Sequence, residues 1–468
     1  MSEVVGKLWG FCNTLRHDGI GYGDYIEQLT YLLFLKIAQE KGVKLPQGCR
    51  WNDLKVKSGT ELLDAYIEIL RTLSRQKGML GDIFAGSLSK FREPVNLKKL
   101  ITLIDETQWS TIDVDIKAEA YEGLLQKYAE EEKGAGQYFT PREAIRCVVR
   151  CIRPDIRERT DFTIHDPAVG TAGFLIGAYE WMMKQTKEGA QLTREERDRL
   201  QNRTFSGSEI VIDTKRLALM NLYLHEIEAD IYYGDALAEG PHTSRRYSVV
   251  MTNPPFGTKG AGQSPIRDDF TVKTANKQLN FVQHVMNVLK PGGRAAMVVP
   301  DNVLFEAGAG NEVRKLLMED CNLHTILRLP IGTFTPYSTG VKANVIFFVK
   351  GEPTKEVWIY DNRTNVEKVT IGHPLSSHHF KDFEACYHAT PRKGSERFRK
   401  FTREQISERD DNLDIFWVKD ELSQNIEGIE EPEEIVGEAL NHLQAATDAL
   451  NDVMTILSSR NKIHRNRT

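Results

Sequence analysis

Seven short runs rich in β-branched and aromatic residues alternate with helical segments between residues 137 and 350, and this alternation constrains the fold more than any other feature of the chain. Strands that alternate with helices favour parallel pairing, with helices on both faces of the sheet. The sequence therefore predicts a doubly wound, Rossmann-like α/β sheet. The seven runs are residues 162–165, 203–208, 231–232, 247–251, 295–299, 324–329 and 345–349.

The sequence on either side of this region has a different texture. Residues 1–133 repeat their apolar positions with the helical period of about 3.6 residues, which predicts a helical N-terminal domain. A charged, glycine-containing stretch follows and suits a linker. We therefore expect the α/β catalytic domain at 134–350, a mixed extension at 351–425, and a helical C-terminal tail that ends in basic residues at 426–468.

The C-terminal tail carries a heptad pattern. Val436, Leu443, Leu450 and Leu457 recur at intervals of seven residues, and such a seam needs a helix to pack against. Either a partner or the chain's own body can supply that helix. The sequence leaves both alternatives open.

Composition excludes several classes of protein. The chain has 468 residues, 40% hydrophobic and 27% charged, and it shows neither an apolar run long enough to span a membrane nor a signal-peptide pattern. We expect a cytoplasmic protein with no membrane contact. Its 6 cysteines form no CxxC pair, which argues against a disulfide framework and a zinc site, so we expect no metal. A net charge of −5 means that any DNA-facing surface is a local basic patch or is shared with a partner.

The tetrapeptide Asn253-Pro254-Pro255-Phe256 follows one of the predicted strands and suits chemistry on the exocyclic amine of a base. The N6 lone pair of adenine is delocalised into the ring, so the amine is a poor nucleophile. If the Asn253 side-chain oxygen and the Pro254 carbonyl each accept an N6 hydrogen, the lone pair localises toward an incoming methyl group. Phe256 can stack on a base that has left the duplex. The alternative is a proline turn that only closes a strand.

Three other strand ends carry groups suited to a nucleoside cofactor. The first strand runs into residues 166–175, where Asp166 begins a sharp turn and glycines including Gly170 let the backbone approach a ligand closely. This segment is not GxGxxG, which weakens a nicotinamide or flavin interpretation. Glu209 ends the second strand, where a carboxylate accepts both hydroxyls of a ribose. Asp235 follows the third strand and is placed to accept a hydrogen bond from an adenine amino group.

A further candidate lies where the helical domain meets the sheet. Thr140 and the free N–H groups of a helix start can hold a carboxylate, because the terminal amides are unpaired and the helix dipole is positive there. Pro141 fits the first helical turn. We also expect Thr140 to cap this helix.

These motifs together resemble the modification (methylation) subunit of type I restriction-modification systems, an adenine-N6 DNA methyltransferase family. The resemblance covers most of the chain. It rests on QYFTP (137–141), DPAVGTAGF (166–174), NPPF (253–256), GGRAAMVVPDNVLF (292–305), LPIGTFTPYSTGVKANVIFF (329–348) and RDDNLDIFW (409–417). The family more often has Cys and Gly where this chain has Val169 and Ala172, small changes that bear on cofactor affinity rather than on binding itself.

The resemblance implies a reaction, a site and an assembly. The cofactor is S-adenosyl-L-methionine, the substrate is double-stranded DNA, and Asn253 to Phe256 hold the target base. It also implies two copies of this chain per specificity subunit, with an optional restriction subunit. The residues that contact the cofactor by this resemblance are Gln137, Tyr138, Phe139, Thr140, Pro141, Arg142, Thr171, Ala172, Gly173 and Glu209.

The reaction is then a direct in-line transfer from sulfonium to N6 with no covalent enzyme intermediate. A cytosine-C5 methyltransferase needs a cysteine nucleophile after a proline, and no cysteine here follows one. Exocyclic N4 of cytosine poses the same chemistry, and only Asn253 in place of serine favours adenine. Protein glutamine methyltransferases share the pattern but are smaller.

Two alternatives remain open, a methyltransferase that acts alone and a DNA-binding scaffold whose catalytic fold is vestigial. Intact Asn253, Asp235 and Glu209 argue against the vestigial scaffold. The chain also has no GxxxxGK[ST] loop, so no ATP-driven translocase is fused to it.

Overall fold

The computed structural model describes residues 21–40, 42, 44–109, 140–256, 265, 267–335, 341–370 and 372–418. The heptad positions, the basic tail and three of the predicted cofactor residues, Gln137, Tyr138 and Phe139, lie outside this range.

The first part of the chain is helical. Amphipathic spacing builds its core: the buried residues of α3 recur every three or four positions and so share one helix face. The helices are α1 (Tyr22–Glu40), α2 (Trp51–Lys55), α3 (Gly59–Ser74), α4 (Met79–Phe84) and α5 (Pro94–Asp105).

The second part is a sheet with helices between its strands. Its elements in chain order are α6 (Arg142–Ile152), β1 (Ile164–Asp166), α7 (Gly173–Gln185), α8 (Arg194–Asn202), β2 (Phe205–Glu209), α9 (Ile212–Leu224), β3 (Ala229–Tyr233), α10 (Pro241–Ser244), β4 (Tyr247–Thr252), α11 (Lys277–Val288), β5 (Leu289–Pro300), α12 (Asn302–Phe305), α13 (Ala309–Asp320), β6 (Cys321–Arg328), β7 (Ala343–Lys350), β8 (Glu356–Asp361), the 3₁₀ turn Ser377–Phe380, α14 (Lys381–His388), β9 (Phe398–Thr402) and α15 (Arg403–Ser407).

The described strands form one sheet in the order β3-β2-β1-β4-β5-β7-β6-β8-β9. Strands β3, β2, β1, β4 and β5 are parallel to one another. Strand β7 runs antiparallel between β5 and β6, β8 pairs in parallel with β6, and β9 closes the edge antiparallel to β8. The predicted α/β sheet is confirmed, and the extension after residue 350 adds two strands to the same sheet.

Alternate residues of the central strands face two separate apolar cores. On β4, Val249 and Met251 pack with α6, α7 and α9, whereas Val250 packs with α11 and α13 on the opposite face. The N-terminal helices join the first of these cores by packing on α9, where Arg216 donates to the carbonyl oxygen of Ala85 at 2.7 Å. The N-terminal helices therefore brace the helix that follows Glu209.

Two observations concern membrane-spanning helices and cysteines. No helix within the described ranges is both long and apolar enough to cross a bilayer. The cysteines in the described part of the chain, Cys49, Cys147, Cys151, Cys321 and Cys386, are free thiols.

Candidate active site

The carboxyl ends of β1, β2, β3 and β4 meet at one edge of the sheet because these strands are parallel and in register. Asp166 pairs with Gly207, and Glu209 pairs with Tyr233. A cleft of about 300 Å³ opens at this edge, a volume at the lower end of the range for small-molecule sites. Its walls contain six predicted site residues: Gly170, Glu209, Asp235, Asn253, Pro254 and Pro255. The structure thus brings the ends of four separate strands into one cavity.

Glu209 is held with its carboxylate fixed by backbone amides. Its Oε2 accepts a hydrogen bond from the Gly170 N–H at 3.1 Å, and its Oε1 accepts from the Val211 N–H at 2.9 Å. Burial raises the pKa of this carboxyl group, and hydrogen bonds from backbone amides partly offset that shift. The carboxylate is therefore oriented before any ligand arrives.

Asp166 lies behind the cleft rather than in its wall. The residue is 1% exposed, and its Oδ1 accepts from the Ala168 N–H at 3.0 Å. Burial raises the pKa of Asp166 to about 7, although the hydrogen bond from the Ala168 amide and the nearby Thr252 hydroxyl act in the opposite direction. Asp166 consequently shapes the turn after β1, and it does not line the cleft.

The residues Thr171, Ala172 and Gly173 form the turn into α7 and are also absent from the lining of the cleft. Ala172 is fully buried at φ 68°, in the left-handed region. A residue with a Cβ pays roughly 1 kcal/mol or more for that conformation, which accounts for a glycine preference at this position. The carbonyl oxygen of Thr171 accepts from Asn221 Nδ2 at 2.9 Å, and this bond ties the turn to α9.

Asp235 sits in a short turn after β3. Its Oδ1 accepts from the Leu237 N–H at 2.9 Å. The Gly234 N–H donates to the Glu209 carbonyl oxygen at 2.9 Å, so the ends of β2 and β3 are joined directly. Apolar side chains lie in the same cleft: Ile210, 60% exposed, together with Leu237 and Phe281.

The sequence reasoning missed the contribution of α11. Lys277 and Phe281 line the cleft from the first turns of this helix. Their spacing of four residues places them on one helix face, but a sequence pattern does not show which strand end that face meets. Ile210 was also missed, and the signal for it was its position directly after Glu209.

Asn253 is anchored at the floor of the cleft. Its Nδ2 donates to Thr140 Oγ1 at 2.9 Å. Its Oδ1 is buried and accepts no hydrogen bond from the described residues. A buried amide oxygen without a donor is costly, so this atom is prepared for a donor from a ligand.

Phe256 is half-buried beside a second aromatic ring. The ring centroids of Phe256 and Phe334 are 5.4 Å apart and the rings are nearly perpendicular at 88°, an edge-to-face arrangement that aromatic pairs favour. Phe334 belongs to the loop after β6, which is braced by a hydrogen bond of 2.9 Å from the Val369 N–H to the Ile331 carbonyl oxygen.

The start of α6 differs from the sequence prediction. The helix begins at Arg142 with Pro141 as the preceding cap residue, and no side chain caps it. The expectation that Thr140 caps this helix is wrong, because the Thr140 hydroxyl accepts from Asn253 instead. Thr140, Pro141 and Arg142 do not line the cleft itself. Thr140 is hydrogen-bonded to Asn253, which does line it.

Two family comparisons match this chain along most of its length. Residues 4–104 match the HsdM N-terminal domain, and residues 112–423 match the family described as N-6 DNA Methylase. The chain is 38% identical to the methylase subunit of the type I restriction enzyme StySJI from Salmonella typhimurium, with 98% of this chain and 96% of that protein covered. The EcoKI methylase subunit of Escherichia coli gives the same identity and coverage, 38%, 98% and 96%.

Solved structures agree with these relatives. The crystal structure of the type I restriction enzyme EcoKI M protein is 35% identical, covers 97% of this chain and 96% of that chain, and superposes with a TM-score of 0.58. A chain from a study of complex assembly and conformational transition of the type I restriction-modification system is 29% identical, with 98% and 99% coverage and a TM-score of 0.71.

Proposed function

The chain belongs to the N-6 DNA methylase family and, within it, to the methylase subunits of type I restriction enzymes, and from this premise we propose how its residues act. It transfers a methyl group from S-adenosyl-L-methionine to N6 of adenine, at a DNA sequence chosen by a separate specificity subunit.

One observation carries the assignment of the catalytic residue. The Asn253 amide is fixed by its bond to Thr140, and its buried Oδ1 still lacks a donor among the described residues. An adenine N6 amine placed against this oxygen and the Pro254 carbonyl donates both hydrogens. Its lone pair then points away from the ring plane and toward the methyl donor.

The rest of the cleft fits a nucleoside cofactor. Glu209 presents an oriented carboxylate for the two ribose hydroxyls, and Asp235 keeps Oδ2 for the adenine amine while Oδ1 is occupied by Leu237. Ile210 and Phe281 supply apolar surface for the purine. When bound, S-adenosyl-L-methionine supplies a methyl group that is activated by its sulfonium charge.

Roles can also be proposed for the predicted cofactor residues that do not line this cleft. We assign the methionine end of the cofactor to Thr140, Pro141 and Arg142 at the start of α6, where the free amides of the helix favour a carboxylate. Asp166 and the turn Thr171–Ala172–Gly173 act by shaping the backbone at Gly170. Gln137, Tyr138 and Phe139 continue the same motif outside the described residues.

The target base is held by an aromatic residue and a proline-fixed backbone. Phe256 stacks on the flipped adenine, and Phe334 supports Phe256 at its edge. The consecutive Pro254 and Pro255 restrict the backbone and remove competing N–H donors. These residues align the amine for in-line attack, and no covalent intermediate with the protein is needed.

The assembly is part of the proposal. Two copies of the chain bind one specificity subunit, and a restriction subunit can join them on double-stranded DNA in the cytoplasm. In the sequence, the 1–133 helical domain precedes the 134–350 catalytic domain, and the 351–425 extension and the 426–468 tail follow it. The heptad seam of the tail is the candidate contact with the specificity subunit.

Sequencing of modified bases tests the proposal. A host is given the chain together with its genomic neighbours, and a second host receives the same genes with Asn253→Ala. We expect N6-methyladenine at one recurring DNA motif in the first host and none in the second. N4-methylcytosine at the motif would overturn the choice of base, and a defined motif methylated by the chain alone would overturn the separate specificity subunit.

A further inference from the structure

A cluster of buried polar side chains lies against the turn that holds Asp235. The carbonyl oxygen of Ala236, a residue of the cleft wall, is within hydrogen-bond distance of two of them. Arg267 Nη1 donates to it at 3.3 Å, and His242 Nε2 lies 3.2 Å from it. Neither side chain is itself part of the cleft lining.

Arg267 is held in one orientation by its other contacts. Its Nε and Nη2 face the two carboxylate oxygens of Asp269, with Nε to Oδ1 at 2.7 Å and Nη2 to Oδ2 at 2.5 Å. Its Nη1 also donates to His284 Nδ1 at 2.9 Å, and its guanidinium lies 4.3 Å from the centre of the Phe270 ring. A planar guanidinium with several directed bonds cannot rotate without losing them.

The histidine partner is neutral in this arrangement. His284 Nδ1 accepts from Arg267, so that nitrogen carries no proton. Burial lowers the pKa of His284 well below its usual range, and the nearby Arg267 charge acts in the same direction. The geometry and the direction of this shift both favour a neutral imidazole whose Nδ1 accepts from Arg267.

The bonds of Arg267 fix one particular peptide unit. The Ala236 carbonyl and the Leu237 N–H belong to the same planar peptide group. Arg267 and His242 hold its oxygen, and Asp235 Oδ1 holds its N–H. Rotation of this peptide would carry the Leu237 N–H away from Asp235 and release the Asp235 carboxylate.

Burying arginine for packing alone is costly. Arg267 is only 2% exposed, and removal of a charge from water is offset only when its bonds are well made. An apolar side chain of similar volume would fill the same space at lower cost. The directed bond to Ala236 is what such a side chain cannot replace.

We propose that Arg267 is a positioning residue for adenine recognition: it locks the Ala236–Leu237 peptide and thereby aims the Asp235 carboxylate at the amino group of the cofactor's purine. This inference rests on the proposed function. It predicts that loss of Arg267 weakens recognition of the 6-amino group more than it weakens binding of the rest of the cofactor.

The test uses the reaction product and an analogue that is altered at the 6-amino edge of the purine. The affinity of the full chain is measured by calorimetry for S-adenosylhomocysteine and for S-inosylhomocysteine, which carries a 6-oxo group and an N1 hydrogen in place of the amine and the bare N1. We expect the wild type to prefer the adenosyl compound. In Arg267→Met and Arg267→Lys that preference should fall about tenfold, the effect of a lost charge-assisted hydrogen bond, with little change for the inosyl compound.

Two controls separate positioning from general damage. Arg314→Met removes another buried arginine that donates to backbone carbonyls, those of Val303, Glu306 and Asp411, and it should leave the ratio of affinities unchanged. In an Asp235→Ala background, replacement of Arg267 should have no further effect on the ratio, because the group that it aims is gone.

The outcomes are distinguishable. If both affinities fall in parallel in the Arg267 variants, or if the ratio stays at the wild-type value, the positioning role is wrong. Arg267→Lys keeps the charge, and the ratio of affinities is measured on this variant if Arg267→Met does not fold. If the wild type binds neither compound, the proposed function itself fails.

Discussion

The side chains of Asn253 and Thr140 are joined by a hydrogen bond of 2.9 Å from Nδ2 to Oγ1, across 113 residues of sequence. This bond connects the Asn253–Phe256 tetrapeptide, the proposed target-base site after β4, with the residues before α6. Because Nδ2 is occupied by Thr140, Oδ1 is the atom left to receive the amine. The two ends of the proposed reaction, methyl donor and target base, are therefore set relative to each other by one side-chain pair.

Asn253→Ala should abolish methyl transfer while cofactor affinity stays within about threefold of wild type. Removal of the oriented acceptor costs roughly 3 kcal/mol or more of transition-state stabilisation, more than a hundredfold in rate. Single-turnover transfer and calorimetry give the two quantities. Thr140→Val is a companion variant, since it leaves Asn253 in place but removes the bond that fixes its amide. It should lose about 1 kcal/mol of transition-state stabilisation, and calorimetry separates this from any effect on the cofactor site that Thr140 is proposed to join. Near-normal transfer by Asn253→Ala contradicts the assignment.

Phe256→Ala should weaken binding of the flipped base by about 1 to 3 kcal/mol, the range for stacking of a base on an aromatic ring. Phe256→Trp keeps a ring face and should have a smaller effect. Phe334→Leu, which removes only the supporting ring, should fall between wild type and Phe256→Ala. A fluorescent adenine analogue at the target position reports the stacked state, and equal signals from the alanine and tryptophan variants would show that Phe256 does not stack.

Glu209→Gln should raise the dissociation constant for S-adenosyl-L-methionine by about tenfold or more, because one carboxylate oxygen is replaced by a donor. Turnover at saturating cofactor should recover, since the proposed contact of Glu209 is with the ribose and not with the target base. Asp213→Asn, an acidic residue nearby on α9 that is not part of the cleft lining, is the control and should bind normally. Unchanged affinity in Glu209→Gln would contradict the proposal that Glu209 binds the ribose hydroxyls.

Asp166 should make stability depend on pH. Its folded-state pKa of about 7 exceeds the ordinary value of 3.8, mainly because the group is buried. The folded protein then binds more protons than the unfolded chain between these values, so the contribution of this group is full below about pH 4 and is lost as the pH rises to 7. The free energy of unfolding, measured with urea, should fall more between pH 5 and pH 8 for wild type than for Asp166→Asn. The control Asp198→Asn, a surface residue of α8, should behave as wild type, and identical pH profiles for all three proteins would refute this contribution.

Local patterns predict the parallel half of the fold well. Each of β1 to β4 is short and is followed by a helix before the next strand begins, so parallel pairing is the simple solution. The other half depends on long-range pairing. Strand β7 inserts between β5 and β6 in antiparallel orientation, and β8 and β9 extend the sheet beyond residue 350. No local spacing encodes which distant strand each of these segments meets.

The same division applies to the site. The convergence of Glu209, Asp235 and Asn253 on one cleft could be predicted, because each lies at or just after the end of a strand and the ends of parallel strands meet at one edge. Lys277 and Phe281 could not, because helix periodicity gives their shared face without naming its neighbour. For Thr140 the local pattern was misleading. Its position before a helix indicates a cap, but its hydroxyl accepts a hydrogen bond from Asn253, which lies in another part of the chain.

The heptad seam leads to a prediction about assembly. Leu443→Asp together with Leu450→Asp places two charges in the predicted apolar seam, where they are desolvated and unpaired when the seam packs against a partner helix. We expect this variant to lose co-purification with the specificity subunit, while it still binds S-adenosyl-L-methionine by calorimetry, because both positions follow the catalytic domain by about a hundred residues in the sequence. Asn441→Asp together with Asn451→Asp adds the same charge at polar positions outside the apolar seam and serves as the control. A seam variant that unfolds the catalytic domain would show that the seam packs on the chain's own body, and one that keeps its partner would show that the contact lies elsewhere.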